Sequence, residues 1–475
     1  MIKNSSYRTQ INEWFEKNSQ SLIADLGKLI AVNSVKTQAQ DGAPYGVASR
    51  EVMNIAASML EEKGFSVTEF EDMIITADLG SSPMVLGVLA HLDIVEAGEG
   101  WETNPFEMTI KDGKIYGRGA IDNKGPAVAL MYALYCVRDI CKTLKSGVRL
   151  ILGTGEETGC DDIKKYLEKN EIPPNIFSPD AYFPVVNTEK GRFALSFGAS
   201  WEKSTTLPRV VSVVGGSVAN IVPNKAIVIV EGFDKGFVQK FISDSDICAK
   251  TGTTAVVEGD AQKLSITIEG KATHASTPEI GVNAQTALIE MLAAMPFSKS
   301  AGFEYLCKLN RLFAHKDYHG CAMGIKMSDE ISGDLTVNFG VLQFTENGFT
   351  GGFDSRTPLC ADKLNIEEIV TKALEKEGIG ISESSISHCH HTDSGTEFVQ
   401  TLLRVFEDYT GRSSECLTMG GQTYVHDIPG GVAFGSAMFG ENYNIHGVNE
   451  WIGVDELINS AKMYTQVILD MCAES

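Results

Sequence analysis

The stretch MVLGVLAHLD, residues 84–93, decides the fold. Met84–Ala90 is an unbroken apolar run, too short to span a bilayer and the right length for a strand buried on both faces. Similar signals surround it. Val148–Leu152 reads as a strand, apolar but for Arg149, and Pro184–Asn187 as a shorter one. Helices lie between. Ile11, Trp14, Phe15, Leu22, Ile23 and Leu26 mark residues 9–31 by their helical spacing. Residues 49–63 form a second helix ended by Gly64, and Lys124–Val137 and Asp161–Lys169 follow. Phe106–Ile110 and Ile115–Gly117 flank Lys111-Asp112-Gly113-Lys114, a hairpin signal. Strands alternating with helices predict an α/β architecture, with a mostly parallel central sheet flanked by helices.

The middle of the chain changes character. Val210–Val214, Ala226–Val230, Leu264–Ile268, Leu335–Leu342 and Phe349–Asp354 read as strands, with helices at Gly281–Ala294 and Ile366–Lys376. The end returns to alternation, with helix Thr396–Tyr409, strand Gly431–Phe434 and helix Val454–Met471. The expected organisation is one α/β domain built from residues 1–189 and 388–475, with an α+β domain inserted over 190–387.

Composition narrows the function. The chain has 475 residues, 43% hydrophobic and 21% charged, which suits two or three globular domains. A formal charge of −22 without a basic patch argues against nucleic-acid partners. No apolar run is long enough for a membrane span, and MIKNSSYRTQINEWF lacks a signal-peptide core. The ten cysteines are scattered without a CxxC pair. Reduced thiols in a cytoplasmic protein, and no thiolate zinc site, are expected.

Several short motifs carry chemistry. His91 and Asp93 follow the apolar run, so His91 can bind a metal while Asp93 holds its ring. Alone, the pair also fits a histidine capping a strand end. Gly117-Arg118-Gly119-Ala120-Ile121-Asp122-Asn123-Lys124-Gly125 precedes a helix. Its spacing matches no phosphate-binding loop. Asp122 is either the helix cap or a carboxylate bridging two cations. Gly153-Thr154-Gly155-Glu156-Glu157-Thr158-Gly159 presents adjacent carboxylates after an apolar strand. One can ligate a metal while the other acts as a general base. Asp180 lies beside a strand, and His446 follows the strand at 431–434. Together these residues describe a dinuclear hydrolytic site with mixed nitrogen and oxygen ligands. Such ligands suit Zn²⁺ first, with Mn²⁺ or Co²⁺ as alternatives.

The ordered set HLD, GRGAIDNKGP, GEETG, SPDA and the late histidine resembles the dinuclear metallopeptidase family of aminoacylase, carnosine dipeptidase and glutamate carboxypeptidase. WETNPFEM, IKDGKIYGRGAIDNKGP and SPDAYFPVVNTEKG are most similar to its bacterial dipeptidase PepV branch. The resemblance implies a catalytic α/β domain with an inserted lid and two divalent ions. His91 and Asp180 would hold one ion, Glu157 and His446 the other, and Asp122 would bridge. Asp93 would orient His91, and Glu156 would be the base that deprotonates a water shared by the ions. In the lid, His274 would stabilise the oxyanion, Asn220 would lie near the substrate, and Arg356 would clamp its carboxylate. The implied activity is hydrolysis of short peptides with a free C-terminus. Acyl-amino-acid hydrolysis, carboxypeptidase activity and metal-bearing peptide binding without turnover are the alternatives. A monomer is expected, with a homodimer as the alternative. Two segments depart from the pattern. His426 stands where the family carries an arginine. The tract His388-Cys389-His390-His391 fits a surface strand or an adventitious metal site.

Overall fold

Strand Met84–His91 sits at the centre of a sheet because both its faces meet apolar layers. The computed structural model describes residues 7–260 and 263–474. Leu86, Val88 and Ala90 enter one core, which includes Val128 and Ile468, while Leu89 enters another with Ile74, Ile151, Ile163 and Ile176. Alternate residues of a strand face opposite ways, so an unbroken apolar run requires cover on both sides.

The chain divides into two compact units. The first comprises Met1–Thr188, His391–Thr418 and Gln422–Ser475. Its sheet has a parallel centre, in the order Gly147–Gly153, Met84–His91, Asn175–Ser178 and Gly431–Ala433. Its flanks are antiparallel: Ile74–Leu79 pairs with Gly147–Gly153, Val67–Phe70 pairs with Ile74–Leu79, and Val185–Glu189 pairs with Gly431–Ala433. Helix Lys124–Ile140 is buried on every side over its first fourteen residues, Lys124–Val137. An all-round apolar surface is the mark of an interior helix. It can pack tightly against the preceding loop because Gly125 has no side chain: a Cβ there would lie 2.1 Å from the carbonyl oxygen of Ala120.

A second, smaller sheet matters more for the site. Thr109–Lys111 and Lys114–Tyr116 form the hairpin, with Lys111 opposite Lys114. The turn is therefore two residues long, Asp112 and Gly113, both at positive φ (53° and 74°), and Phe106–Met108 lies outside the strand. Trp451–Gly453 adds as a third strand, with Trp451 opposite Tyr116. This pairing sets residues 446–450 beside residues 117–122.

The second unit comprises Glu189–His390 and Met419–Gly421. Its main sheet has eight strands, in the order Thr254–Gly259, Leu264–Glu269, Lys225–Glu231, Arg209–Gly215, Thr336–Thr345, Gly348–Thr357, Gly191–Ser200 and Gly380–Ser387. Every neighbouring pair is antiparallel. Helix Ala284–Ala294 starts three residues later than its apolar pattern suggests, because the Asn283 side chain caps it by accepting the amides of Gln285 and Thr286. Likewise the helix expected from Ile366 begins at Glu368, behind a wider turn over Lys363–Glu367. Helix Ala301–Leu312, capped by Ser300, is an addition to the elements expected from the sequence. No helix among the described residues is long and apolar enough to cross a membrane.

Leu89→Ala tests the central strand. Truncating a fully buried leucine should cost about 2–5 kcal/mol, read as a lower denaturant midpoint at unchanged slope. A cost below about 1 kcal/mol would show that this strand is not interior.

Candidate metal centre and active site

His91 ends the central strand and is fully buried. Its Nδ1 donates to the main-chain carbonyl of Asp93 at 3.0 Å, with the Asp93 carboxylate 3.4 Å away. A carbonyl can only accept, so Nδ1 carries a proton, and in the neutral ring Nε2 keeps its lone pair. Nε2 faces Asp122 Oδ1 at 3.0 Å and Asp180 Oδ1 at 3.5 Å. A lone pair facing two carboxylates is repelled unless a cation or a proton lies between them.

The same problem recurs on the other side of Asp122. His446 Nε2 lies 2.9 Å from Asp122 Oδ2 and 3.2 Å from Glu157 Oε2. Each oxygen of Asp122 therefore meets a different imidazole. Potential metal-ligand atoms lie within 4.8 Å of one another in three sets: His91 with Asp122 and Asp180, Asp122 with Glu157 and His446, and His91 with Glu156 and Glu157. Glu157 Oε1 is buried and, among the described residues, has no hydrogen-bond partner. The donor set and this orphaned oxygen fit divalent cations with nitrogen and oxygen ligands.

The electrostatics agree with the geometry. Burial works against a charged His91, yet Asp180 and Asp122 outweigh it and hold the ring well above its ordinary range. Burial also opposes charge on the half-exposed His446, but Asp122 and Glu157 push it up to about 11. Asp122 is raised by burial and lowered more by the two imidazoles, leaving it below the usual carboxylate range. Burial pushes Asp180 up to about 7. Burial also raises Glu157, with Asp122 adding to it, and lifts Glu156 well above its ordinary value, with Asp180 adding to it.

The supporting contacts were largely invisible in the sequence. The Asp93 carboxylate accepts the amides of Glu156 at 3.3 Å and Glu157 at 3.0 Å, so it holds the acidic turn as well as neighbouring His91. Asp162 Oδ2 accepts the amides of Thr154 and Gly155, both at 2.9 Å, and the Tyr424 hydroxyl. Gly153 is required beneath that hydroxyl, because a Cβ would lie 2.3 Å from it. Asn123, not Asp122, stands at the cap position of helix Lys124–Ile140. Its side chain instead donates to Asp180 Oδ1 at 3.1 Å and the Pro179 carbonyl at 2.9 Å.

Three predicted residues lie in the second unit. Ile221 and His274 form a bridge, and the Ala275 amide donates to the Asn220 carbonyl at 2.8 Å, so Asn220 and His274 are neighbours. His274 Nδ1 meets Ser276 Oγ at 2.8 Å. Arg356 is 6% exposed; its Nε donates to Asp354 at 2.8 Å and its Nη1 to the Gly420 carbonyl at 2.6 Å. Gly420 in turn packs on Ser276, which links Arg356 to His274. His426 lies in the single turn Tyr424–Asp427. Among the described residues, no potential metal-ligand set includes residues 388–391; His391 Nδ1 meets Thr188 Oγ1 at 2.8 Å.

An acid–imidazole cluster at the carboxyl ends of parallel strands places the chain among α/β enzymes. A model of peptidase family M20/M25/M40 matches residues 87–470. The chain is similar to "Putative dipeptidase YtjP" of Bacillus subtilis, 32% identical over 461 residues that cover 96% of this chain and 98% of that one. It is also similar to "Putative dipeptidase SH1171" of Staphylococcus haemolyticus, 31% identical over 97% of this chain and 100% of that one. Human carnosine dipeptidase 1 shares the fold over 98% of each chain, with a TM-score of 0.58 at 16% identity. Aminoacylhistidine dipeptidase from Vibrio alginolyticus shares it over 96% of this chain and 97% of its own, with a TM-score of 0.56 at 13% identity. The chain belongs to peptidase family M20/M25/M40, and it is a hydrolytic peptidase.

The proton on His446 gives a pH test. An unfolded histidine loses its proton near about 6.5, whereas folded, metal-free His446 keeps it to about 11. Its stabilising contribution is full below the first value and is lost as pH rises through the second. The melting temperature in chelator should fall from neutral pH towards pH about 11, and His446→Ala should flatten that slope. A slope unchanged by the substitution would contradict this ion pairing.

Proposed function

We propose that this peptidase is a dipeptidase working with two divalent ions, Zn²⁺ first and Mn²⁺ or Co²⁺ as alternatives. The observation that carries the reading is Asp122, whose two oxygens face two different histidines, each within a triad that includes a further carboxylate. His91, Asp122 and Asp180 would hold one ion, and Asp122, Glu157 and His446 the other. Bound there, such ions supply Lewis acidity for the scissile carbonyl and lower the pKa of water.

The remaining steps belong to the protein. Glu156 takes the proton of the attacking water and returns it to the departing amine. A carboxylate raised by burial, with Asp180 adding to it, suits this task because it is a stronger proton acceptor than an ordinary one. Asp93 fixes the turn that carries it. His274 offers a donor for the oxyanion and Asn220 a polar contact for the peptide. Arg356 offers its Nη2 edge to the C-terminal carboxylate, the rest of the fork being set by Asp354 and the Gly420 carbonyl. The full-length similarity to proteins named as dipeptidases supports short peptides as substrates. Ten scattered cysteines without a paired motif support a cytoplasmic location.

Metal-reconstituted protein should cleave members of a dipeptide library faster than N-acyl amino acids. Glu156→Ala should lower kcat by at least about 10²-fold while the metal content is retained. No turnover of any dipeptide by reconstituted wild type would overturn the proposal. Arg356→Ala should raise KM for free dipeptides by about tenfold or more, with a small effect on C-terminally amidated ones. An equal effect on both classes would remove Arg356 from carboxylate recognition.

A further inference from the structure

One buried ion pair ties together the loops that carry the metal-site donors. Arg118 and Glu450 are 1% and 0% exposed, with Nη1 2.6 Å from Oε2. Glu450 Oε2 also accepts the Gly119 amide at 3.1 Å. Its Oε1 accepts the amides of Ile121 at 2.9 Å and Asp122 at 3.1 Å. Arg118 Nη2 donates to the carbonyls of Glu96 at 3.2 Å, Ala97 at 3.3 Å and Gly447 at 2.9 Å. The pair therefore touches the loop after His91, the loop of Asp122 and the loop of His446.

The two halves of the cluster are built differently. His91 ends a central strand, and Asp180 follows another strand and is held by Asn123. Glu157 is fixed through its amide by Asp93. His446 instead lies in residues 439–450, which form neither helix nor strand. Asn444, His446 and Asn449 all adopt positive φ there, at 56°, 59° and 58°. Such backbone persists only when its surroundings determine it. Arg118 on the Gly447 carbonyl, one residue from His446, is the nearest of these ties. Asn449 adds a bond from the Glu102 amide, and the Glu450 carbonyl one from Gly117.

We propose that Arg118 and Glu450 are positioning residues whose ion pair fixes His446 in register with Asp122, and so sets the affinity of the ion held by Asp122, Glu157 and His446. The ion held by His91, Asp122 and Asp180 shares Asp122 but takes His91 and Asp180 from strand ends, and so depends on the pair less. This inference rests on the two-ion reading above. It makes the two ions unequal, with one bound by the sheet and the other by a strapped loop.

Calorimetric titration of metal-stripped protein with Zn²⁺ tests it without measuring activity. Wild type should bind two ions. Glu450→Gln should weaken one of them by about 10–100-fold and the other by much less, as should Arg118→Lys, which keeps the charge but loses the fork. His446→Ala identifies which ion that is, and Glu450→Gln added to it should cause no further loss. Two ions of wild-type affinity in the folded variants, or equal weakening of both, overturn the proposal. Hydrogen exchange on wild type covers the case in which the variants fail to fold. The amides of Gly119, Ile121 and Asp122 should be protected before any metal is added. If their protection appears only with the second ion, the metal orders the loop and the strap does not. A wild type that binds fewer than two ions sinks the two-ion reading itself, whereas two ions in wild type with unchanged variants sink only the strap.

Discussion

Like charges gathered at the end of the central sheet are the constraint around which the first unit is organised. Asp122, Glu156, Glu157 and Asp180 approach two imidazoles at the ends of a central sheet. Burial raises Glu156, Glu157 and Asp180, and Asp122 escapes only because an imidazole faces each of its oxygens. Such an arrangement holds only with positive charge inside it, supplied by protons or by ions. A site that must hold protons when empty and release them to bind a cation couples metal affinity to pH.

The fold meets this constraint by fixing backbone before side chains. The Asp93 carboxylate takes the amides of the acidic turn, Asp162 with Tyr424 takes those of Thr154 and Gly155, and Glu450 takes those around Asp122. In each case main-chain donors satisfy a buried acid, so its oxygens are not left without partners. The candidate ligands then take their positions from loops tied by these bonds.

Much of the architecture was legible because it depends on local pattern. The run at 84–90, the apolar helix at 124–137 and the hairpin at 111–114 each carry a periodicity or a turn signal that leaves few options. The candidate site motifs were legible for a related reason: histidines and acids placed just after apolar strands stand out against a strand's own composition. What escaped were single polar residues whose partners lie far along the chain. Glu450 reads as one more acid in an exposed loop of an acidic protein, and Arg118 as a basic residue between glycines. Their pairing spans 332 positions. Asp162 reads as a helix's first-turn acid, and only the fold sets Tyr424 over it. The Asn283 cap shows the same effect on a smaller scale, since the apolar pattern begins before the hydrogen bonds do.

By itself, then, the sequence determined which segments become strands and helices and which side chains are chemically able to ligate, because hydrophobic period and residue type are local properties. Only tertiary structure decided that Asp122 faces both histidines, and that the 446–450 loop lies against the 117–122 loop. Those outcomes depend on Trp451 pairing with Tyr116 and on a buried ion pair closing between distant loops. Contacts of that kind leave no periodic trace in a single chain, since their energy depends on desolvation and geometry that exist only once the fold has formed.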